Sequence, residues 1–244
     1  MSNKKYFGTD GIRGKANIFP ITAELALKLA QAVSLKLFAD DRSNKKVLIG
    51  KDTRISGDML ESALIAGFTS MGVNVELAGI MPTPAISKLT SYTKADLGVM
   101  ITASHNPFED NGIKFFGADG YKFSDEFELA VETLLDQDLS DKVSASSQIG
   151  RAVKVANIEQ YYIESLKNSI AGCDLNGIKA VLDCANGAGS KIAPQILKDL
   201  GVNVVVINNN LNGRNINHEC GATHTGHMQD KVLETKADIG LALD

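Results

Sequence analysis

The feature that most constrains this chain is that one succession of strand, loop and helix signals is written in it twice. KKVLIGKDTRISG at 45–57, MGVNVELAG at 71–79 and ADLGVMIT at 95–102 reappear, in the same order, as IKAVLDCANGAGS at 178–190, LGVNVVVIN at 200–208 and ADIGLALD at 237–244. Any two α/β units share a strand, a loop and a helix, but three blocks that keep their order favour a duplicated unit. Gly72-Val73-Asn74-Val75 matches Gly201-Val202-Asn203-Val204 at an offset of 129, and Asp96-Leu97-Gly98 matches Asp238-Ile239-Gly240 at 142, so insertions fall in the loops. The larger offset sets Asp244 opposite Thr102, two residues before Ser104. Both positions are carboxyl ends of strands, where open α/β sheets bind ligands.

Local signals fill in the units. Leu25, Leu29, Ala32, Val33 and Leu37 recur on one face behind Thr22 as a candidate N-cap, predicting an amphipathic helix over 22–38. Val47-Leu48-Ile49 reads as a short buried strand, and Leu60, Leu64, Ile65 and Phe68 as a helix face stopped by Gly72. Val73 to Leu77 alternates as a strand. Pro82-Thr83-Pro84 suggests an N-cap followed by an N1 proline, and Ser124 with Asp125, Glu126 and Glu128 opens a further helix. The apolar-poor stretch 138–150 is the best linker candidate. The expectation is an α/β chain of two tandem α/β/α units with mixed sheets, divided as 1–150 and 151–244.

Composition narrows the partners. A net charge of −4 argues against a broad cationic surface for nucleic acid or anionic lipid, while leaving room for small-phosphate sites. No stretch reaches the roughly 18 uninterrupted apolar residues of a membrane helix, and MSNKKYFGTD lacks the apolar core of a leader, so a cytoplasmic protein is expected. Cys173, Cys184 and Cys220 are odd in number and show no CxxC spacing, which disfavours a disulfide framework.

Several stretches could carry chemistry. Val99-Met100-Ile101 stops at Thr102-Ala103-Ser104-His105-Asn106-Pro107 and restarts at Gly112. A turn explains the polarity, but not the gathering of Ser104 as a nucleophile with His105, Lys114, Glu109 and Asp110 nearby; no Gly-x-Ser-x-Gly elbow is present. Phe7-Gly8-Thr9-Asp10-Gly11-Ile12-Arg13-Gly14 offers close backbone approach and a guanidinium fork for phosphate, or else an N-terminal turn whose Arg13 pairs with a carboxylate. Lys51 to Gly57 lies where free helix amides could receive an anion, though Ser56 could equally be a plain cap; Asn186 to Ser190 holds the equivalent place in the second copy. His218-Glu219-Cys220 with His224 and His227 has zinc-type donors at a spacing unlike the standard structural patterns.

With these blocks assembled, the sequence resembles the α-D-phosphohexomutase superfamily: FGTDGIRG at 7–14, GKDTRISG at 50–57, ITASHNPFEDNGIKFF at 101–116, DCANGAGS at 183–190, NINHECGATH at 215–224 and ADIGLALD at 237–244. The resemblance implies four α/β domains around a cleft, of which these residues correspond to the first and most of the second. It implies a phosphoserine at Ser104 that exchanges its phosphoryl group with a small phosphosugar, glucosamine 6-phosphate becoming glucosamine 1-phosphate through a bisphosphate. Arg13 and Lys114 would flank the phosphate, Thr9 would help bind it, Lys114 or a group it organises would serve as acid/base, and His105 would support the loop. Mg²⁺ would be held by the Ser104 phosphate and by three aspartates of a DGDADR loop. Asp244 is the first of these and the last residue of the sequence, so a piece of a longer protein, unable to complete turnover, is expected. Ala222 stands where the family usually has serine in CGATH. A homodimer is possible. A mannose- or glucose-phosphate mutase, or a non-catalytic two-domain binding module, are the alternatives.

Overall fold

The computed structural model describes residues 4–39 and 41–244; the first three residues of the stretch read for a leader lie outside them. A six-stranded mixed sheet has the order β1-β5-β4-β2-β3-β6, with β1 (Ile12–Lys15), β2 (Lys46–Lys51), β3 (Asn74–Ile80), β4 (Leu97–Ile101), β5 (Asp110–Gly117) and β6 (Ala152–Lys154). β4, β2, β3 and β6 run parallel, while β5 is antiparallel to both β1 and β4. The second sheet, expected to be mixed as well, sets β7 (Lys179–Asp183) between β8 (Asn203–Ile207) and β9 (Ile239–Ala242), all parallel. Between the strands lie α1 (Ala23–Leu37), α2 (Ser56–Ser70), α3 (Thr83–Tyr92), α4 (Asp125–Leu135), α5 (Ile158–Ser169), α6 (Ile192–Asp199) and α7 (Gly226–Thr235). Among the described residues no helix is long and apolar enough to cross a membrane.

Strand periodicity decides which layer each residue joins. Val47 and Ile49 of β2, with Val99 and Ile101 of β4, point into the core under α1, α2 and α4; Leu48 and Met100 point to the opposite core under α3. A strand buried on both faces needs an unbroken apolar run, which is why these segments do not alternate with polar residues. The second core also takes Ile158, Tyr162 and Ile163 of α5 and Ile192 of α6, so the two halves share apolar interior.

Thr22 caps α1 by accepting from the Leu25 amide, and Ser124 caps α4 by accepting from Phe127. Gly72, at φ +81°, directly follows the C-cap of α2. α3 starts one residue before its expected start: Pro82 is the N-cap, Thr83 is helical, and Pro84 sits in the first turn where its missing N–H costs nothing. The stretch 138–150 is fastened to the end of α2 and the start of β3, with Ser144 N donating to Ser70 O, Gly150 N to Thr69 O, and Arg151 N to Asn74 Oδ1. β6 follows at once and pairs with β3.

The duplication extends to single hydrogen bonds. Lys46 N donates to Asp96 Oδ2 at 3.0 Å, and Lys179 N to Asp238 Oδ2 at 2.8 Å. The ammonium of Lys46 reaches the carbonyl of Thr93, and that of Lys179 the carbonyl of Thr235. Lys94 and Lys236 both take a left-handed conformation at the turn between, as Gly72 and Gly201 do at theirs. In each half the aspartate that opens the last strand of the repeat satisfies the first amide of its neighbour.

Candidate active site

Ser104 sits just past the end of β4, where the chain leaves the sheet. Its φ is +55°, a left-handed conformation that ordinary side chains adopt at a cost of about 1–3 kcal/mol. The Ser104 amide donates to Thr102 Oγ1 at 3.1 Å and the Asn106 amide to Ala103 O at 3.1 Å. The carbonyls of Ser104 and Asn106 both accept from Arg54 Nη2, at 3.0 and 2.6 Å. Arg54 is completely buried and ion-paired to buried Asp52, which also accepts from the Arg54 amide at 3.0 Å. Asn217, from the loop between β8 and α7, donates to the same two carbonyls at 3.0 and 3.1 Å. The serine hydroxyl remains free of this clamp and meets Asp244, its Oγ lying 3.1 and 3.2 Å from the two carboxylate oxygens. Asp244 follows β9, so the strand-end match of the repeat becomes a contact between the two halves.

Ser104 and Asp244 line a cavity of about 480 Å³ between the halves. Its polar end holds Ser104, Lys114, Asp52, Thr102 and Asp244, and Tyr162, Leu166, Ile192, Ile196 and Leu243 form the apolar wall. Burial raises the Tyr162 hydroxyl above its ordinary value, so it stays protonated. Lys114 lies on β5 opposite Met100 and is nearly buried; its Nζ pairs with Asp10 at 2.5 Å. Arg13 pairs with the same Asp10 at 3.3 Å. Burial pushes the Asp10 carboxyl up, but Lys114, Arg13 and Lys122 outweigh it and hold the group below its usual range. Lys122 also donates to Thr9 O at 2.7 Å.

The structure therefore gathers the expected residues into two connected places. Ser104, Lys114 and Asp244 share the inter-half cavity, with exposed His105 beside them, its Nδ1 3.8 Å from Asp244. Thr9 and Arg13 line a separate depression of about 350 Å³ and reach Lys114 through Asp10. The capping reading of the 51–57 loop does not match the geometry. Ser56 is the first helical residue of α2, not its cap, and its hydroxyl accepts from Asn111 Nδ2. The Ile55 amide is already taken by Gly213 O at 2.9 Å, and Lys51 is spent on Asp58 and Glu61. In the histidine-rich loop Cys220 is buried against Asn186, and His224 pairs with Thr223. Among the described residues no three His, Cys, Asp or Glu side chains are grouped to hold a metal ion. Asp10, Arg54 and Asn217 were not singled out from the sequence. Their partners are main-chain oxygens or residues used twice, which leave no spacing signal.

The family model for phosphoglucomutase/phosphomannomutase α/β/α domain I matches residues 4–142, and that for domain II matches 160–244. Phosphoglucosamine mutases from Brucella anthropi and Agrobacterium fabrum are each 52% identical over 99% of the chain. The chain spans about half the length of these curated relatives, 53% and 54%. Among solved structures, a putative phosphomannomutase from Thermus thermophilus superposes with a TM-score of 0.78 at 29% identity, covering 95% of this chain and 52% of that one. A phosphoglucomutase/phosphomannomutase family protein from Burkholderia thailandensis shares the fold with a TM-score of 0.81 at 24% identity, covering 99% of this chain and 53% of that one.

Proposed function

The chain belongs to the phosphoglucomutase/phosphomannomutase family, and from that premise we propose that Ser104 carries the phosphoryl group in a phosphoglucosamine mutase reaction, glucosamine 6-phosphate exchanging with glucosamine 1-phosphate through a bisphosphate. One observation carries the reading: the Ser104 hydroxyl stands at a strand end, facing an inter-half cavity, while its main chain is gripped from both halves. Phosphoryl transfer asks mainly for alignment and charge neutralisation, and a rigid loop with a free hydroxyl provides the first. The 50–52% identity to phosphoglucosamine mutases supports the amino sugar over mannose or glucose phosphates.

In the loading step a sugar bisphosphate gives one phosphoryl group to Ser104. The Oγ–P bond forms, the sugar O–P bond breaks, and the serine proton passes to the leaving sugar oxygen. Lys114 is placed to stabilise the phosphate and relay that proton, and its contact with Asp10 orients it. Through Asp10, Arg13 extends the cationic surface toward Thr9 for a second phosphate.

Asp244 presents the opposite problem. It accepts from the serine hydroxyl, but a phosphoserine of charge near −2 would repel it. A hard divalent cation held by both groups would remove that conflict, and oxygen donors suit Mg²⁺. Asp244 fits as one ligand with the Ser104 phosphate as another; when bound, the ion neutralises charge on the transferring group.

Intact mass tests the reading. Incubation with glucosamine 1,6-bisphosphate adds one phosphate to the chain, and Ser104→Ala takes none. No gain by the unaltered chain, or equal gain by the variant, overturns it, and faster loading from the mannose or glucose bisphosphate reassigns the sugar.

A further inference from the structure

We propose that Asn217, supplied by the second half, is a positioning residue for Ser104, so that the hydroxyl reaches its reacting pose only while the halves are docked. The proposal rests on the reading of Ser104 as phosphoryl carrier and deepens it. Because Ser104 is left-handed, its carbonyl and that of Asn106 are turned to the same side of the loop. Each of these oxygens has two lone pairs, and each receives two donors, one from Arg54 and one from Asn217. The donors are complementary in origin. Arg54 is anchored in the first half by Asp52, whereas Asn217 is anchored in the second by its own amide, which donates to Ala185 O at 2.9 Å. Asn217 is itself at φ +59°, which asparagine tolerates better than most residues, so its carboxamide is presented by a fixed backbone.

Nothing in this arrangement touches Oγ, so its loss leaves every reacting group present and acts on where the hydroxyl points. The loop keeps the Thr102 and Ala103 bonds and the Arg54 half of the clamp, but an unfavourable backbone angle is then held from one side only. Displacement of an attacking or leaving oxygen by a fraction of an ångström is enough to slow an in-line transfer.

Two variants in the full chain test this. Asn217→Gly keeps the positive φ without penalty and removes only the carboxamide; Asn217→Asp keeps the shape but turns an acceptor toward two carbonyl oxygens. The first readout is phosphate uptake by Ser104 from the bisphosphate, and the second is hydrogen exchange of the 102–106 amides. We expect Asn217→Gly to lower the saturated rate about 10- to 100-fold with about a threefold or smaller change in the half-saturating concentration. Exchange at 102–106 should accelerate about tenfold while the Ile55 amide, closed by Gly213, stays protected. Asn217→Asp should be slower still. Wild-type rates and exchange in Asn217→Gly overturn the proposal, as does loosening that spreads to Ile55, which marks a general interface contact. If the unaltered chain takes no phosphate, the reading of Ser104 fails on its own, and exchange at 102–106 still decides whether Asn217 holds the loop.

Discussion

Asp52 and Asp183 stand at the ends of equivalent strands and begin in the same way, then diverge. Each accepts from the amide two residues on, Arg54 N at 3.0 Å and Ala185 N at 2.9 Å. The second oxygen of Asp52 meets the buried guanidinium of Arg54, whereas that of Asp183 accepts from the Gly221 amide at 2.9 Å. A cation with donors to spare can reach onward, and Arg54 does, to the Ser104 loop. A backbone amide has one donor and stops there. One strand-end turn thus organises a neighbouring loop through a cation, while the other braces only its own half.

The largest effect expected from this contrast is on Arg54. Arg54→Met leaves Asp52 buried and unpaired and should cost about 3–5 kcal/mol in urea unfolding, along with Ser104 loading. Asp183→Asn keeps one acceptor but turns an amide N–H toward a backbone N–H, and should cost about 1.5–3 kcal/mol. Equal costs would mean that the two turns are energetically interchangeable.

A second pair separates the halves by the stiffness of what lies over their strands. Gly98 and Gly240 are repeat mates; an added Cβ would lie 2.1 Å from Thr90 Oγ1 in the first half and 2.0 Å from Met228 Sδ in the second. Thr90 is buried and bonded to Ile86 O, whereas a thioether can swing aside. Thermal unfolding should show Gly98→Ala destabilised by about 1–3 kcal/mol and Gly240→Ala by less than about 1 kcal/mol. The reverse order would place the stiffer layer in the second half.

The smallest expected effect is a labelling pattern. All three cysteines lie beyond residue 170 and report on the second half alone. Burial, with Asp183 nearby, pushes the Cys184 thiol up from an ordinary value near 9 to about 12, and burial likewise pushes Cys220 up to about 11. At pH 8 a thiol reagent should modify exposed Cys173 and spare the other two. Since the folded state holds these protons more tightly, their contribution is full below pH 9 and is lost as pH rises toward 11 and 12. Cys184 and Cys220 should therefore become reactive on the alkaline side, and rapid labelling of all three at pH 8 would show the second half opening freely.

What the sequence disclosed followed the range of the interaction. The Thr22 and Ser124 caps and the polar break at Ser104 are each written within a few residues, and the structure keeps them. Ser56 is not the cap because α2 begins one residue earlier than that reading allows, with Ile55 as its N-cap and the Ile55 amide bonded to Gly213 O, and α3 begins early because a proline can itself be the N-cap. Arg54 and Asn217 bind carbonyls 50 to 113 residues away, and a carbonyl carries no residue identity. Asp10 escaped notice because its value lies in joining Lys114 to Arg13, which requires β1 and β5 to be side by side.

The bond from Ile55 to Gly213 has a reach beyond its own two atoms. A Cβ at Gly213 would sit within 3.2–3.4 Å of Ile55, so the loop arrives as close as bare backbone allows. The opening turn of α2 is thus finished by a carbonyl that the helix does not own. Whatever tightens or loosens the seam between the halves is felt by α2, and a molecule settling across that seam would firm up a helix it never meets.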